Sequence, residues 1–212
     1  VSTIDLRLYD CQQCFSDDAF SDDVFQQISD AWSEHLLLVF SDQCLSNEDH
    51  IEFSRRFGAL EIHPSHKYNV KKNPELLLLT NRKNAAGNYV SLRDGGSIWH
   101  SDLSYMAEPS RCSLLYAIDV PVDGGDTEWA NMYLAYDALP KDLKTRISGL
   151  WAMNHFIISE NPRFQPPSHL TPEKRIGTQW AEKTAEEKAR TPGAVHPVVR
   201  THPTTGRKGL FI

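Results

Sequence analysis

The chain has 212 residues, 40% of them hydrophobic and five of them tryptophan, which is enough apolar material to bury a core and fold as one domain. Its formal net charge is −6, with Lys and Arg interspersed among the acidic residues, so there is no basic stripe for a nucleic acid to follow. The longest apolar run, Leu36 to Phe40, falls far short of the roughly 20 residues a membrane span requires. With no signal-peptide pattern either, a cytoplasmic protein is expected. Cysteines 11, 14, 44 and 112 are scattered. Cys11-Gln12-Gln13-Cys14 has redox or zinc spacing, but no second such pair or His pair completes a site, so reduced thiols are expected.

In chain order, Asp22 to His35 carries Val24, Ile28 and Ala31 on one helical stripe, widened by Phe25 and Trp32. This predicts an amphipathic helix capped by Ser21. It runs into an apolar segment, Leu36 to Phe40, expected to be a buried strand. Ser46 as N-cap and Gly58 as stop bracket a second helix. Leu76 to Leu79, entered after Asn73-Pro74 and ending at Asn81, reads as another strand. The stretch from Asn84 to Gly96, rich in Gly, Asn and Asp, reads as a loop or short hairpin. Loops of this kind commonly cover active sites. A strand is expected over Cys112 to Pro121. Short helices are expected over Asn131 to Leu139 and Lys141 to Ile147, divided by Pro140 and ended by Gly149, then a strand from Trp151 to Ile157. Residues 161–193 hold five prolines around a charged segment, Glu182 to Arg190. They read as a solvated helix between prolines or as an insertion that forms a lid. The pattern alone supports a mixed, strand-rich domain.

The chemistry-bearing motif is Trp99-His100-Ser101-Asp102-Leu103-Ser104. In extended chain, side chains repeat every two residues, so His100 and Asp102 point to one face and can share a cation through imidazole nitrogen and carboxylate oxygen. A His and a carboxylate are two members of the facial triad of non-heme Fe(II) oxygenases. By itself the His-x-Asp pattern fits a hydrogen-bonded strand histidine as well. His50-Ile51-Glu52 has the same spacing, but it falls within the expected second helix, where residues i and i+2 do not face each other. About two dozen residues after the motif comes Gly124-Gly125-Asp126-Thr127-Glu128-Trp129, which reads locally as a turn entering a strand.

The block from Ile98 to Pro140, with WHSDLSYMAEPS, CSLLYAIDVP and GGDTEWANMYLAYDALP, resembles the taurine/2,4-dichlorophenoxyacetate dioxygenase family of Fe(II)- and 2-oxoglutarate-dependent enzymes. The resemblance extends upstream through Leu36 to Phe40 and through Phe53 to Pro64, and downstream through His196-Pro197-Val198-Val199-Arg200-Thr201-His202-Pro203 and Gly206-Arg207-Lys208. It implies a mainly β domain with flanking helices, a double-stranded β-helix or cupin-like jelly roll. It also implies that His100 and Asp102 are catalytic iron ligands, that Thr127 bonds the distal carboxylate of 2-oxoglutarate, and that His63 and Leu103 contact the substrate. The family's third ligand is expected in a WDNRxxxH segment well after the HPVVRTHP hairpin, followed by the carboxylate-binding arginine, and neither is present. His196, His202, Arg200 and Arg207 match the hairpin and are not substitutes. The run Gly209-Leu210-Phe211-Ile212 reads as mid-strand, so a single catalytic domain over 1–212, incomplete at its C-terminal end, is expected.

The implied reaction is oxidative decarboxylation of 2-oxoglutarate to succinate and CO2, using Fe(II) and O2, coupled to hydroxylation of a substrate C–H. Trp99, Tyr105 and Trp129 read either as cavity walls or as plain core. His66 and Gly96 stand where taurine enzymes carry tyrosine and asparagine. The substrate is therefore expected to be another small anion: a sulfonate, a sulfate ester or an aryloxyalkanoate. The competing reading is a non-catalytic jelly-roll module that binds a small molecule without a complete triad. A zinc hydrolase is a weaker third, because no general-base glutamate accompanies a His pair. The expected partner is the small-molecule substrate, with neither nucleic acid nor membrane, and association into a homo-oligomer is left open.

Overall fold

The structure, a computed structural model, describes residues 21–64, 68–87, 89–91, 96, 98–156, 168, 171 and 182–212. Its elements are α1 (Asp22–His35), α2 (Asn47–Arg55), β1 (Asn69–Val70), β2 (Asn73–Leu77), α3 (Met132–Asp137) and α4 (Lys141–Ile147). They are followed by β3 (Trp151–Asn154), α5 (Ala185–Arg190), β4 (Ala194–Pro197), β5 (Val199–Thr201) and β6 (Lys208–Leu210). Among the described residues the strands form three two-stranded sheets, β1 with β2, β3 with β4 and β5 with β6, all antiparallel. No helix among them is long and apolar enough to cross a membrane. The chain divides into two compact units: Val1–Ala59, Leu114–Arg146 and Val199–Leu210 form the first, and Leu60–Ser113, Ile147–Val198 and Phe211–Ile212 the second.

The helices of the first unit begin where their caps dictate. The Ser21 hydroxyl accepts from the Val24 N–H at 3.3 Å, and Asp22 and Asp23 set negative charge against the amino end of α1. Ser46 and Asp49 make a reciprocal capping box on α2: the Asp49 N–H donates to Ser46 Oγ at 3.1 Å and the Ser46 N–H to Asp49 Oδ2 at 2.9 Å. The two helices share an aromatic core in which the Phe57 ring meets Phe25 at 5.0 Å, Phe53 at 5.4 Å and Trp32 at 5.8 Å, all edge-on. Ile28, Ile51 and Phe53 are buried there. Arg56 ties α2 to α1, with Nη2 2.7 Å from Asp22 Oδ1 and its guanidinium 4.6 Å from the centre of the Phe25 ring. Elsewhere in this unit, β5 and β6 pair Val199 with Leu210 and Thr201 with Lys208. Gly209 sits close under α3: a Cβ there would stand 3.1 Å from Tyr133 Cδ1, so a larger residue would push that ring aside by a few tenths of an ångström.

In the second unit β3 pairs with β4 from Trp151↔Pro197 to Asn154↔Ala194. The Lys83↔Tyr89 bridge makes a short hairpin at the start of the stretch Asn84 to Gly96, which was expected to be a loop or short hairpin and is described only in part. Tyr105, Ser91, Glu187, Thr191, Ala194 and His196 are buried. His196 Nε2 donates to the Met106 carbonyl at 2.9 Å, which fastens β4 to the turn that follows Asp102.

Two expected strands differ. Leu36–Phe40 is in no ladder: Leu36 caps α1 at φ 68°, and the four residues after it are half-buried or exposed. Cys112–Pro121 is likewise unpaired among the described residues, with Leu115, Ile118 and Val120 exposed. An apolar run lowers the cost of burial but does not supply the neighbour whose N–H and C=O groups make a strand. The strand from Trp151 stops at Asn154, and Ile157 lies outside the described residues, as do Cys11, Cys14, His66 and most of 161–193.

The capping box makes a measurable claim. Ser46→Ala should cost about 1 kcal/mol of stability at neutral pH by urea denaturation. Bonding to Ser46 holds the Asp49 carboxyl below its ordinary value, so its contribution is present above pH about 4 and lost as pH falls through that lowered value. The gap between wild type and variant should therefore narrow in acid. A gap that is independent of pH would contradict the pairing.

Candidate metal centre

His100 and Ser101 have no regular structure and Asp102 opens a turn, so the pair lies in no sheet among the described residues. The two side chains nevertheless face each other. His100 Nε2 lies 3.2 Å from Asp102 Oδ1, while Nδ1 lies 2.6 Å from the Ile98 carbonyl oxygen. A carbonyl can only accept, so Nδ1 carries a proton, and it is Nε2 that faces the carboxylate. Nε2 and the carboxylate oxygen are held together at this distance by a shared proton or by a metal ion in its place. Ligand bonds of about 2.1 Å at right angles would place the two donor atoms about 3 Å apart, so the pair fits neighbouring positions on one metal ion.

Both donors are oriented from behind. The Ile98 carbonyl fixes the ring, and the Ser113 hydroxyl donates to Asp102 Oδ2 at 2.6 Å. That bond leaves Oδ1 as the oxygen that faces His100. Outer partners of this kind commonly set a metal ligand's aim and basicity. The turn itself is closed by Ser104 N–H to Ser101 O at 3.3 Å and Met106 N–H to Leu103 O at 2.9 Å. Leu103 stands at φ 51°, a left-handed conformation that a branched side chain seldom adopts.

Beyond the turn, the Tyr105 ring packs on Phe156 at 4.7 Å. His63 meets the same Phe156 ring edge-on at 5.9 Å, and the Lys183 ammonium lies 4.4 Å from its centre. Burial pushes His63 below the usual histidine range, with the Lys183 charge acting the same way and the Asp102 charge opposing. His63 is thus a neutral hydrogen-bonding group near the Asp102 charge at neutral pH. Burial, aided by Asp102, pushes the Tyr105 phenol well above its ordinary value, so it remains a donor.

Residues 13–212 match the family described as "Taurine catabolism dioxygenase TauD, TfdA family". The chain belongs to this family. It is 33% identical over 186 residues to a (S)-phenoxypropionate/alpha-ketoglutarate-dioxygenase of Sphingobium herbicidovorans, covering 86% of this chain and 59% of that protein. It is 35% identical over 202 residues to an alpha-ketoglutarate-dependent 2,4-dichlorophenoxyacetate dioxygenase of Cupriavidus pinatubonensis, covering 88% and 63%. The chain thus spans about three fifths of the length of these relatives. A crystal structure of AAD-2 in complex with Mn(II) and N-oxalylglycine is similar at TM-score 0.61 and 27% identity, over 91% of this chain and 60% of that one.

The second unit of this TauD-family chain brings together His63, His100, Asp102 and Leu103. Thr127 belongs to the first unit and is exposed, in a segment that Gly124 and Gly125 enter at φ 73° and 76°. Trp99 and Trp129 are exposed, so of the three aromatic residues only Tyr105 is core. Among the described residues no group of three His, Cys, Asp or Glu side chains is placed to hold a metal. His196 is occupied with Met106, and His202 Nδ1 accepts from the Thr204 and Thr205 N–H groups at 3.3 Å, so neither is diverted to the pair. Sequence reasoning missed Ser113, Phe156 and Lys183. A serine eleven residues beyond Asp102 carries no local signal, and only the fold brings it there.

Ser113→Ala should weaken Mn(II) binding about 10-fold or more, as loss of an outer partner to a ligand typically does, with the melting temperature little changed. Isothermal titration of both proteins checks this. Equal Mn(II) affinity would show that the serine does not orient Asp102.

Proposed function

We propose that the protein is an Fe(II)- and 2-oxoglutarate-dependent dioxygenase built on a double-stranded β-helix, which hydroxylates a small anionic organic substrate and yields succinate and CO2. The observation that carries this reading is the His100–Asp102 pair, with Nδ1 held on the Ile98 carbonyl and Nε2 aimed at a carboxylate oxygen. Membership of the family supports it.

In this reading His100 and Asp102 hold the iron and set the face it presents. Bound iron would supply the activation of O2 that couples decarboxylation of the 2-oxo acid to oxidation of the substrate. Thr127 hydrogen-bonds the distal carboxylate of 2-oxoglutarate. The third ligand and the carboxylate-binding arginine, which the resemblance places in and after a WDNRxxxH segment, have no counterpart in residues 1–212. His63, held neutral by burial, bonds a polar group of the substrate, and Leu103 limits its approach beside Asp102. The buried aromatic residues Tyr105 and Phe156 keep water from that side. The substrate is of sulfonate, sulfate ester or aryloxyalkanoate type.

Anaerobic addition of Fe(II) and 2-oxoglutarate to the protein should give a weak visible charge-transfer band, and air should then give succinate. His100→Ala and Asp102→Ala should abolish both. Thr127→Val should raise the apparent constant for 2-oxoglutarate roughly 10-fold, the cost of one charge-assisted hydrogen bond, and leave Fe(II) affinity unchanged. A wild-type protein that forms neither band nor succinate would instead be the non-catalytic binding module.

A further inference from the structure

We propose that His196 is a positioning residue for the metal centre: its bond to the Met106 carbonyl keeps the turn wound at Leu103 and so holds Asp102 where it faces His100. The metal-binding consequence rests on the dioxygenase reading. The coupling of His196 to the turn stands on the geometry of the second unit.

The turn that Asp102 opens does not keep its shape by local preference. Leu103 stands at φ 51°, where an L-residue with a side chain is strained. Two backbone bonds oppose that strain, Ser104 N–H to Ser101 O at 3.3 Å and Met106 N–H to Leu103 O at 2.9 Å. The shorter one ends on Met106, so whatever fixes Met106 also fixes Leu103. His196 Nε2 supplies that hold by donating to the Met106 carbonyl at 2.9 Å. Met106 is thus gripped at both of its backbone groups.

His196 is itself firmly seated. It lies in β4 opposite Ala152 of β3, is 5% exposed, and meets the Phe211 ring edge-on at 5.1 Å. Phe211 is tied back to the same strands, its N–H donating to the Val198 carbonyl at 2.9 Å, and the Val198 N–H donates to the Leu150 carbonyl at 2.9 Å. An apolar side chain would fill this buried place in β4 without the cost of hiding a polar ring, so the ladder gives no reason for histidine. The Met106 carbonyl, ninety residues away in the chain, gives one. Asp102 then has two supports that act on different parts of it. The Ser113 hydroxyl on Oδ2 aims the carboxylate, and His196, through Met106 and Leu103, sets the backbone that carries it. Both are needed to keep Oδ1 at 3.2 Å from His100 Nε2, and a ligand held loosely binds its metal less tightly.

The test compares His196→Gln with His196→Asn. The Gln amide nitrogen can take the place of Nε2 and reach Met106, whereas the shorter Asn amide reaches only the place of Nδ1. In the metal-free protein, hydrogen exchange at the Ser104 and Met106 amides should quicken about 5-fold in the Asn variant, as expected for one lost hydrogen bond. The Gln variant should exchange like wild type, and the amides of β2 should be unchanged in both. Mn(II) binding by isothermal titration should weaken about 10-fold in the Asn variant and stay close to wild type in the Gln variant. Leu103→Asn places at that position a residue that tolerates the left-handed conformation, so His196→Asn should cost much less Mn(II) affinity in that background. If His196→Asn does not fold, His196→Phe, which keeps a ring against Phe211 and lacks the donor, takes its place. A lowered melting temperature with turn exchange and Mn(II) affinity unchanged would mean that His196 serves the fold alone, and would overturn the proposal. So would a Gln variant that binds as weakly as the Asn variant, or an undiminished loss in the Leu103→Asn background. A wild-type protein that takes up no Mn(II) defeats the metal reading alone, and the exchange rates still decide whether His196 holds the turn.

Discussion

The short hydrogen bond from His100 Nδ1 to the Ile98 carbonyl is the constraint from which the chemistry of the second unit follows. It fixes the ring with Nδ1 toward the backbone and Nε2 toward Asp102. In that orientation Nε2 and the carboxylate oxygen share either a proton or, in the function proposed above, a metal ion. A solvated surface ion pair contributes little to stability, and both side chains are about half exposed.

The backbone near the pair is held against its own preferences to keep that arrangement. Leu103 occupies a left-handed conformation that costs a branched residue of order 1–2 kcal/mol. The Ser113 hydroxyl on Asp102 and the His196 ring on Met106 anchor the turn on either side of it. These partners come from distant parts of the chain, eleven residues away for Ser113 and ninety for His196. Strain at a turn of this kind survives only where the surroundings over-determine it, and here these two contacts do so. Cys112, next to Ser113, has its thiol pushed up by burial, which keeps it an inert neighbour.

Much of this was legible in the sequence wherever a local signal decides the outcome. Ser21 and Ser46 cap the helices that follow them, as their positions predicted, because a side-chain oxygen three residues before a free N–H acts without help from the rest of the fold. The meeting of His100 with Asp102 at 3.2 Å was legible in their spacing, although the expected strand is not there and Asp102 opens a turn. Leu36–Phe40 and Cys112–Pro121 were misjudged as strands because pairing depends on a partner that their own composition does not contain. Ser113, Phe156 and Lys183 could not have been found by spacing. They reach the site only through tertiary packing, and serine, phenylalanine and lysine carry no motif of their own. The role of Thr127 came from resemblance alone, as its segment is locally a glycine turn.

The most direct measurement is the long-range proton–nitrogen NMR spectrum of the His100 ring, recorded on the metal-free protein and again after adding Zn(II) as a diamagnetic stand-in for iron. Coordination through Nε2 predicts a proton on Nδ1 at the outset, and on adding Zn(II) a large shift of the Nε2 resonance with the Nδ1 proton retained. A ring protonated on Nε2 alone, or an Nε2 resonance that Zn(II) leaves where it was, would contradict metal binding by the His100–Asp102 pair.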